Sequence, residues 1–169
     1  MKWIILSLSL LVAHVSTAQS SGISEDFQKE IDRYLDKTIS TMTVDQLSSM
    51  DSGRFVLLDA REKEEYAIST IPGSTYIGYD DFDIKSISHL PKGQPIVVFC
   101  SIGYRSEKIG EKLKKEGYGR VFNLYGSIFA WANAGLPLKT PDGKHTQKLH
   151  TYSKKWSKWV QNPEVKKVY

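Results

Sequence analysis

Residues 96–105 read Ile-Val-Val-Phe-Cys-Ser-Ile-Gly-Tyr-Arg, and this stretch decides the fold. Ile96 to Phe99 is a short, fully apolar run, as expected of a strand buried on both faces of a parallel sheet. The loop that follows contains Gly103, whose missing Cβ permits a tight turn. Ser106 to Glu116 then reads as an amphipathic helix, with Ile109 and Leu113 inward and Gly117 as its stop. Outward from this unit the same alternation recurs. Phe55-Val56-Leu57-Leu58 is a second buried strand and Val121-Phe122 a third, while Ile128, Phe129 and Trp131 begin a last helix that Gly135 and Pro137 end. Residues 39–138 therefore predict an α/β domain with a mainly parallel sheet.

The chain has 169 residues, 40% of them hydrophobic, which suits one real core rather than two ordinary domains. A single cysteine excludes an intramolecular disulfide and a Cys-rich zinc site. His14, His89, His145 and His150 are too scattered to suggest a metal set, so neither metal nor cofactor is expected. A net charge of +4 is too mild to assign a partner.

Both ends differ from the middle. Lys2, the apolar stretch from Ile4 to Val15 and the small residues Ser16-Thr17-Ala18 have the layout of a secretory leader cleaved after Ala18. The apolar run is short for a membrane span, which needs about 20 residues. The expectation is export, to a periplasm or to the outside. Residues 19–38 predict a helix beginning at Ser24, with Glu25 and Asp26 in its first turn and Ile23, Phe27, Ile31, Tyr34 and Leu35 on one face. Residues 139–169 form a basic extension with eight Lys against Asp142 and Glu164. Tyr152, Trp156 and Trp159 lie there at helical spacing, with Lys154, Lys155 and Lys158 between them. Such a helix suits either packing on the domain, which an aromatic stripe favours, or contact with a membrane surface. Nucleic acid is not an expected partner of an exported chain.

In an oxidising compartment an unpaired thiol needs a reason. Cys100 stands at the carboxyl end of a strand, where α/β sheets place ligands. A glycine loop can turn successive N–H groups inward as an anion nest, and the following helix adds partial positive charge. Arg105 adds a full charge and a fork suited to oxyanions. All three favour a nucleophilic thiolate. Cys100 is thus the candidate catalytic residue, and Ser101, Ile102, Gly103, Tyr104 and Arg105 are the candidate substrate-holding loop.

Further segments then join in order. Leu58-Asp59-Ala60-Arg61, Glu65-Tyr66, Ile71-Pro72-Gly73-Ser74, Val97 to Cys100, and Gly126 to Pro137 together resemble the rhodanese-like sulfurtransferases, in their single-domain form. The resemblance implies a three-layer fold with a mainly parallel five-stranded sheet flanked by helices, here with an added N-terminal helix and the basic C-terminal extension. It implies that Cys100 takes the outer sulfur of an anionic donor such as thiosulfate as a persulfide and passes it to cyanide or a thiol. Related phosphatases carry a loop one residue longer, so the four residues between Cys100 and Arg105 favour sulfur. A non-catalytic anion- or partner-binding module is the alternative. Asp59, Arg61 and Glu65 are expected to support the site: Asp59 by orienting N–H groups of the neighbouring loop, Arg61 by pairing with an acid. Glu65 stands where some relatives carry a donor-binding base, so it either opposes thiosulfate or neutralises Arg105. Thr70 replaces the family's common histidine.

Overall fold

The computed structural model describes residues 22–169; the expected leader and its cleavage point lie outside them. Five parallel strands form one sheet: β1 (Ser40–Met42), β2 (Val56–Asp59), β3 (Thr75–Tyr76), β4 (Ile96–Phe99) and β5 (Val121–Leu124). Their spatial order is β1-β5-β4-β2-β3, and every neighbouring pair is parallel. The expected α/β architecture is therefore present, with β4 in the centre. Its four residues are all fully buried.

Alternation along β4 builds a core on each face. Ile96 and Val98 point into one cluster with Leu58, Val121, Ile109 and Leu113. The last two belong to α4 (Tyr104–Lys115), which covers that face. Val97 and Phe99 point into the other cluster with Leu57 and Leu124. Three helices cover this side: α1 (Glu25–Asp32) through Phe27 and Ile31, α2 (Val44–Ser48) through Val44 and Leu47, and α5 (Ser127–Asn133) through Ile128 and Phe129. The short α3 (Lys63–Ile68) follows β2. Ser24 caps α1 as expected, its side chain accepting from the Phe27 N–H.

Two expectations are corrected. Tyr34 does not lie in the core; the helix ends at Asp32, and Tyr34 is exposed with its ring edge-on to Trp156, the centroids 5.2 Å apart. The aromatic stretch of the C-terminal extension is not an α-helix. After β6 (Leu138–Lys139) and its antiparallel partner β7 (His145–Thr146), the chain forms β8 (Lys148–His150) and pairs it in parallel with β9 (Lys166–Val168). Between them Tyr152 takes a left-handed conformation, φ 62°, which stops a helix, and Trp156–Trp159 is a single 3-10 turn. A 3-10 turn also puts residues i and i+3 on one side, so the spacing of Trp156 and Trp159 serves both geometries.

The extension shares the core on the α1 side. Leu149 and Val160 are fully buried there, and Trp159 stacks on Phe27 with centroids 5.5 Å apart and planes at 19°. Among the described residues no helix is long and apolar enough to cross a membrane. Because the stack ties both ends of the chain to one core, Phe27→Ala should cost about 3–5 kcal/mol in urea unfolding. A loss below about 1 kcal/mol would show that the two extensions unfold separately from the sheet.

Candidate functional site

Cys100 leaves the central strand and is 1% exposed. Its backbone is held by the start of α5. The Cys100 N–H donates to Ser127 Oγ at 3.0 Å, and the carbonyls of Cys100 and Ser101 accept from the N–H groups of Ile128 and Phe129, each at 3.2 Å. Ser127 Oγ donates in turn to the Leu124 carbonyl at 3.1 Å. Gly126 just before it could not carry a side chain: a Cβ there would stand 2.7 Å from that of Ala130.

The loop then curls around the sulfur. The Gly103 N–H donates to Cys100 Sγ at 3.2 Å, and Ser106 Oγ lies 3.5 Å from it. Gly103 takes φ 126°, and an added Cβ would press on Leu35 and Asn123. Buried Asn123 fixes this turn by donating from Nδ2 to the Gly103 carbonyl at 2.9 Å. Ser106 Oγ sits 2.7 Å from Asn123 Oδ1 and 3.0 Å from the Gly103 carbonyl, so its one proton has three acceptors and is free to turn to the sulfur. Burial pushes the Cys100 thiol pKa up. The positive charge of Arg105, the hydroxyl and N–H of Ser106 and the N–H of Gly103 pull it down and prevail, so the thiol lies below the ordinary cysteine range.

Arg105 lies in the first turn of α4, and its fork is already filled. Its Nη1 meets Glu65 Oε2 at 2.5 Å, and its Nη2 meets Glu65 Oε1 at 2.9 Å and Ser101 Oγ at 3.0 Å. Glu62 stands 3.7 Å away, and the ring of Tyr152 lies over the guanidinium, 5.4 Å from its carbon. Arg105 thus gives the site charge but no open bidentate donor set, which corrects its expected part as an oxyanion clamp. Of the two roles open to Glu65, neutralisation is the one realised. Its buried carboxylate also accepts the Ser101 hydroxyl at 2.9 Å and the Glu62 N–H at 3.1 Å, which ties α3 to the loop. Burial pushes its pKa up, but the bonds and charge of Arg105 outweigh this and leave it below the usual carboxylate range.

Asp59 and Arg61 form a separate brace. Both are fully buried, joined at 2.7 Å, and Asp59 also accepts the Thr70 hydroxyl at 2.7 Å. Arg61 donates to the Ser69 carbonyl and lies 6.0 Å from the Phe99 ring. Asp59 therefore spends its oxygens on Arg61 and Thr70, and none of its bonds reaches the loop from Ser101 to Arg105; its expected role is corrected. Thr70 fills the histidine's place by holding Asp59 and by pairing its backbone with Lys139.

Above Cys100 opens a pocket of about 470 Å³. Ser101, Ile102 and Arg105 share its floor, Tyr104 and Tyr79 its sides, and Glu62 and Asp80 its acidic edge. Tyr34 and the C-terminal Tyr152 and Trp156 complete the wall. Sequence reasoning named the floor but missed Ser106, Asn123 and Ser127 beneath it, and the walls from Tyr34, Glu62, Tyr79, Asp80, Tyr152 and Trp156. One signal was available: Asn123 is a polar residue inside the apolar run Val-Phe-Asn-Leu, and buried polar groups need partners. Among the described residues no group of three or more His, Cys, Asp or Glu is placed to hold a metal.

A family model described as the rhodanese-like domain matches residues 43–134. A sulfurtransferase of Allochromatium vinosum is 38% identical over 93 residues, covering 55% of this chain and 86% of that protein. The probable adenylyltransferase/sulfurtransferase MoeZ of Mycobacterium tuberculosis is 33% identical over 101 residues, covering 58% of this chain and 26% of that longer protein. The crystal structure of a rhodanese-like domain protein from Staphylococcus aureus has a TM-score of 0.50 at 27% identity, covering 55% of this chain and 91% of the other.

The buried pair generates a prediction. Arg105→Ala leaves Glu65 charged and uncompensated, so stability at neutral pH should fall by about 3–5 kcal/mol in urea unfolding. Because folding lowers the Glu65 pKa, the pair's contribution is complete above the ordinary glutamate pKa of about 4.3 and is lost as pH falls through the lower folded value. The penalty of the substitution should therefore shrink in acid. A penalty that is small or independent of pH would refute the pairing.

Proposed function

The chain belongs to the rhodanese-like domain family, and on that premise we propose that it is a sulfurtransferase in which Cys100 carries sulfane sulfur as a persulfide. The observation that carries this reading is the buried thiol held below its ordinary pKa by Gly103, Ser106 and Arg105 at the floor of an open pocket. With thiosulfate as donor, the thiolate attacks the outer sulfur, a bond to Cys100 Sγ forms, the S–S bond of the donor breaks and sulfite leaves with the electron pair. An acceptor thiolate or cyanide then attacks the terminal sulfur and returns Cys100 to the thiolate. Each step is a displacement at sulfur, and no oxidant enters. The N–H groups around the loop offer the terminal sulfur the same donors that hold the thiolate.

The two other readings gain no support from the site. A phosphatase needs an open guanidinium fork for the phosphate oxygens, and Arg105 has given its fork to Glu65. A pure binding module has no use for an activated, buried sulfur.

We also propose export. Lys2, the apolar Ile4–Val15 stretch and Ser16-Thr17-Ala18 support a leader removed near Ala18, which places the reaction in a periplasm or outside the cell. Acceptors there are thiols that survive an oxidising compartment, and this chain has no second cysteine to trap its own persulfide as a disulfide.

Two measurements test this reading. Incubation of the protein with thiosulfate should add the mass of one sulfur atom, cyanide should remove it, and Cys100→Ser should abolish it. No added sulfur from any sulfane donor would overturn the assignment. Expressed with its leader in a secreting host, the chain should be recovered with Gln19 as its N-terminus; retention of Met1 would overturn export.

A further inference from the structure

Of the four large hydrophobic side chains left exposed among the described residues, three line the Cys100 pocket: Tyr34 at 37%, Tyr104 at 42% and Tyr152 at 57%. Trp156 meets Tyr34 edge to face beside them. Tyr34, Tyr152 and Trp156 lie outside residues 43–134, the stretch that matches the family model. This wall is therefore an addition to the common domain. It is also held in place. Tyr152 keeps its left-handed backbone between His150, whose Nδ1 accepts the Tyr152 N–H at 3.1 Å, and the fully buried Thr151.

The charge lining the same pocket is predominantly negative. Its lining contains one cation, Arg105, which Glu65 and Tyr152 already occupy, and two carboxylates, Glu62 and Asp80. Burial first, and then Asp80, raise the Glu62 pKa, and the charge of Arg105, 3.7 Å away and already paired with Glu65, does not outweigh them. A dianion such as thiosulfate meets repulsion from these acids and finds no free guanidinium. An ammonium finds two carboxylates and an aromatic lining, the combination of groups that recognises organic cations.

We propose that this pocket selects an organic persulfide, R–S–SH, whose R group is short and carries an ammonium, over inorganic thiosulfate. The inference rests on the sulfur-transfer reading and names its donor class. The step balances: the Cys100 thiolate bonds to the outer sulfur, the donor S–S bond breaks, and R–S⁻ leaves with the electron pair, so that Cys100–S–SH and a free thiolate result. The aromatic wall takes R, and the carboxylates of Glu62 and Asp80 take its charge. These two are specificity residues and take no part in the bond changes.

The test uses persulfides of cysteamine, 2-mercaptoethanol and mercaptoacetate, made from the disulfides with sulfide. They are of similar length and carry an ammonium, no charge and a carboxylate. Thiosulfate is the fourth donor. Loading of Cys100 is followed by intact mass, and each rate is divided by that donor's rate with free cysteine to remove intrinsic reactivity. The ammonium donor should load fastest, about tenfold above the carboxylate donor, and thiosulfate slowest. Glu62→Gln combined with Asp80→Asn should bring the three organic donors within about twofold of one another. Tyr152→Ala with Trp156→Ala should slow the organic donors more than it slows thiosulfate, and an equal or greater loss with thiosulfate would count against the wall as the seat of R. A flat or reversed order in the unaltered protein, or thiosulfate loading as fast as the ammonium donor, overturns the inference and leaves the Cys100 persulfide standing. Failure of all four donors to add sulfur overturns the sulfurtransferase reading itself.

Discussion

Cys100 is almost wholly out of contact with water, yet the fold holds its pKa below the ordinary cysteine range, so the protein must supply what solvent would otherwise give. A buried thiolate needs inward N–H dipoles and a nearby positive charge, and the place where a parallel strand hands over to a helix supplies both. β4 ends at Phe99, the loop turns at Gly103, whose N–H donates to the sulfur, and α4 opens at Tyr104. The positive charge then creates a demand of its own. Arg105 is held mostly away from solvent and takes Glu65 as partner; Glu65, buried in turn, recruits the Ser101 hydroxyl and the start of α3. One buried sulfur thus orders a chain of compensations that runs from the central strand to a helix 40 residues earlier in the sequence.

The part of this chain legible in the sequence is the part set by local pattern. Four apolar residues before Cys100, a glycine after it and a periodic helix beyond are enough to place the thiol at a strand end. Fold class and the floor of the site follow from that. What pattern cannot show is which acid an arginine meets. Nothing in the local pattern distinguishes Glu65 from Glu64 or Glu62; the family resemblance singled it out with two roles open, and the packing of α3 beside the loop decides between them. The same limit explains Asp59, whose oxygens go to Arg61 and Thr70 rather than to the loop it adjoins. In the C-terminal extension the difficulty is degeneracy. Aromatics at 152, 156 and 159 satisfy an α-helix, but a left-handed Tyr152 followed by a 3-10 turn satisfies them too, and a left-handed tyrosine leaves no mark in composition.

The extensions shape the approach to the loop, while the hydrogen bonds to the sulfur come from the domain itself. Phe27 and Trp159 stack across the two ends of the chain, and Leu149 and Val160 anchor the tail in the core beside α5. The residues just past these anchors, Tyr34, Tyr152 and Trp156, stand over the sulfur. The sulfur's donors come from Gly103 and Ser106 at the start of α4, its backbone is held by α5, and the pocket wall comes largely from outside these elements. A change in the wall therefore alters which molecule approaches while the nucleophile keeps its bonds.

Tyr152 shows how this separation is maintained. A left-handed backbone at a non-glycine residue costs about 1–2 kcal/mol and persists only where its surroundings overdetermine it. Here Thr151 is fully buried and its N–H and hydroxyl both donate to the Val168 carbonyl, so the residue before Tyr152 is fixed by the β9 strand. Beyond it, the Ser153 N–H returns to the Thr151 carbonyl and the Trp156 N–H to that of Ser153, which closes the turn. Relaxing Tyr152 to an ordinary conformation would break this series of bonds. The strain thus lies in the one tail residue whose ring covers Arg105, and the parallel β8–β9 pair is the element that stabilises it.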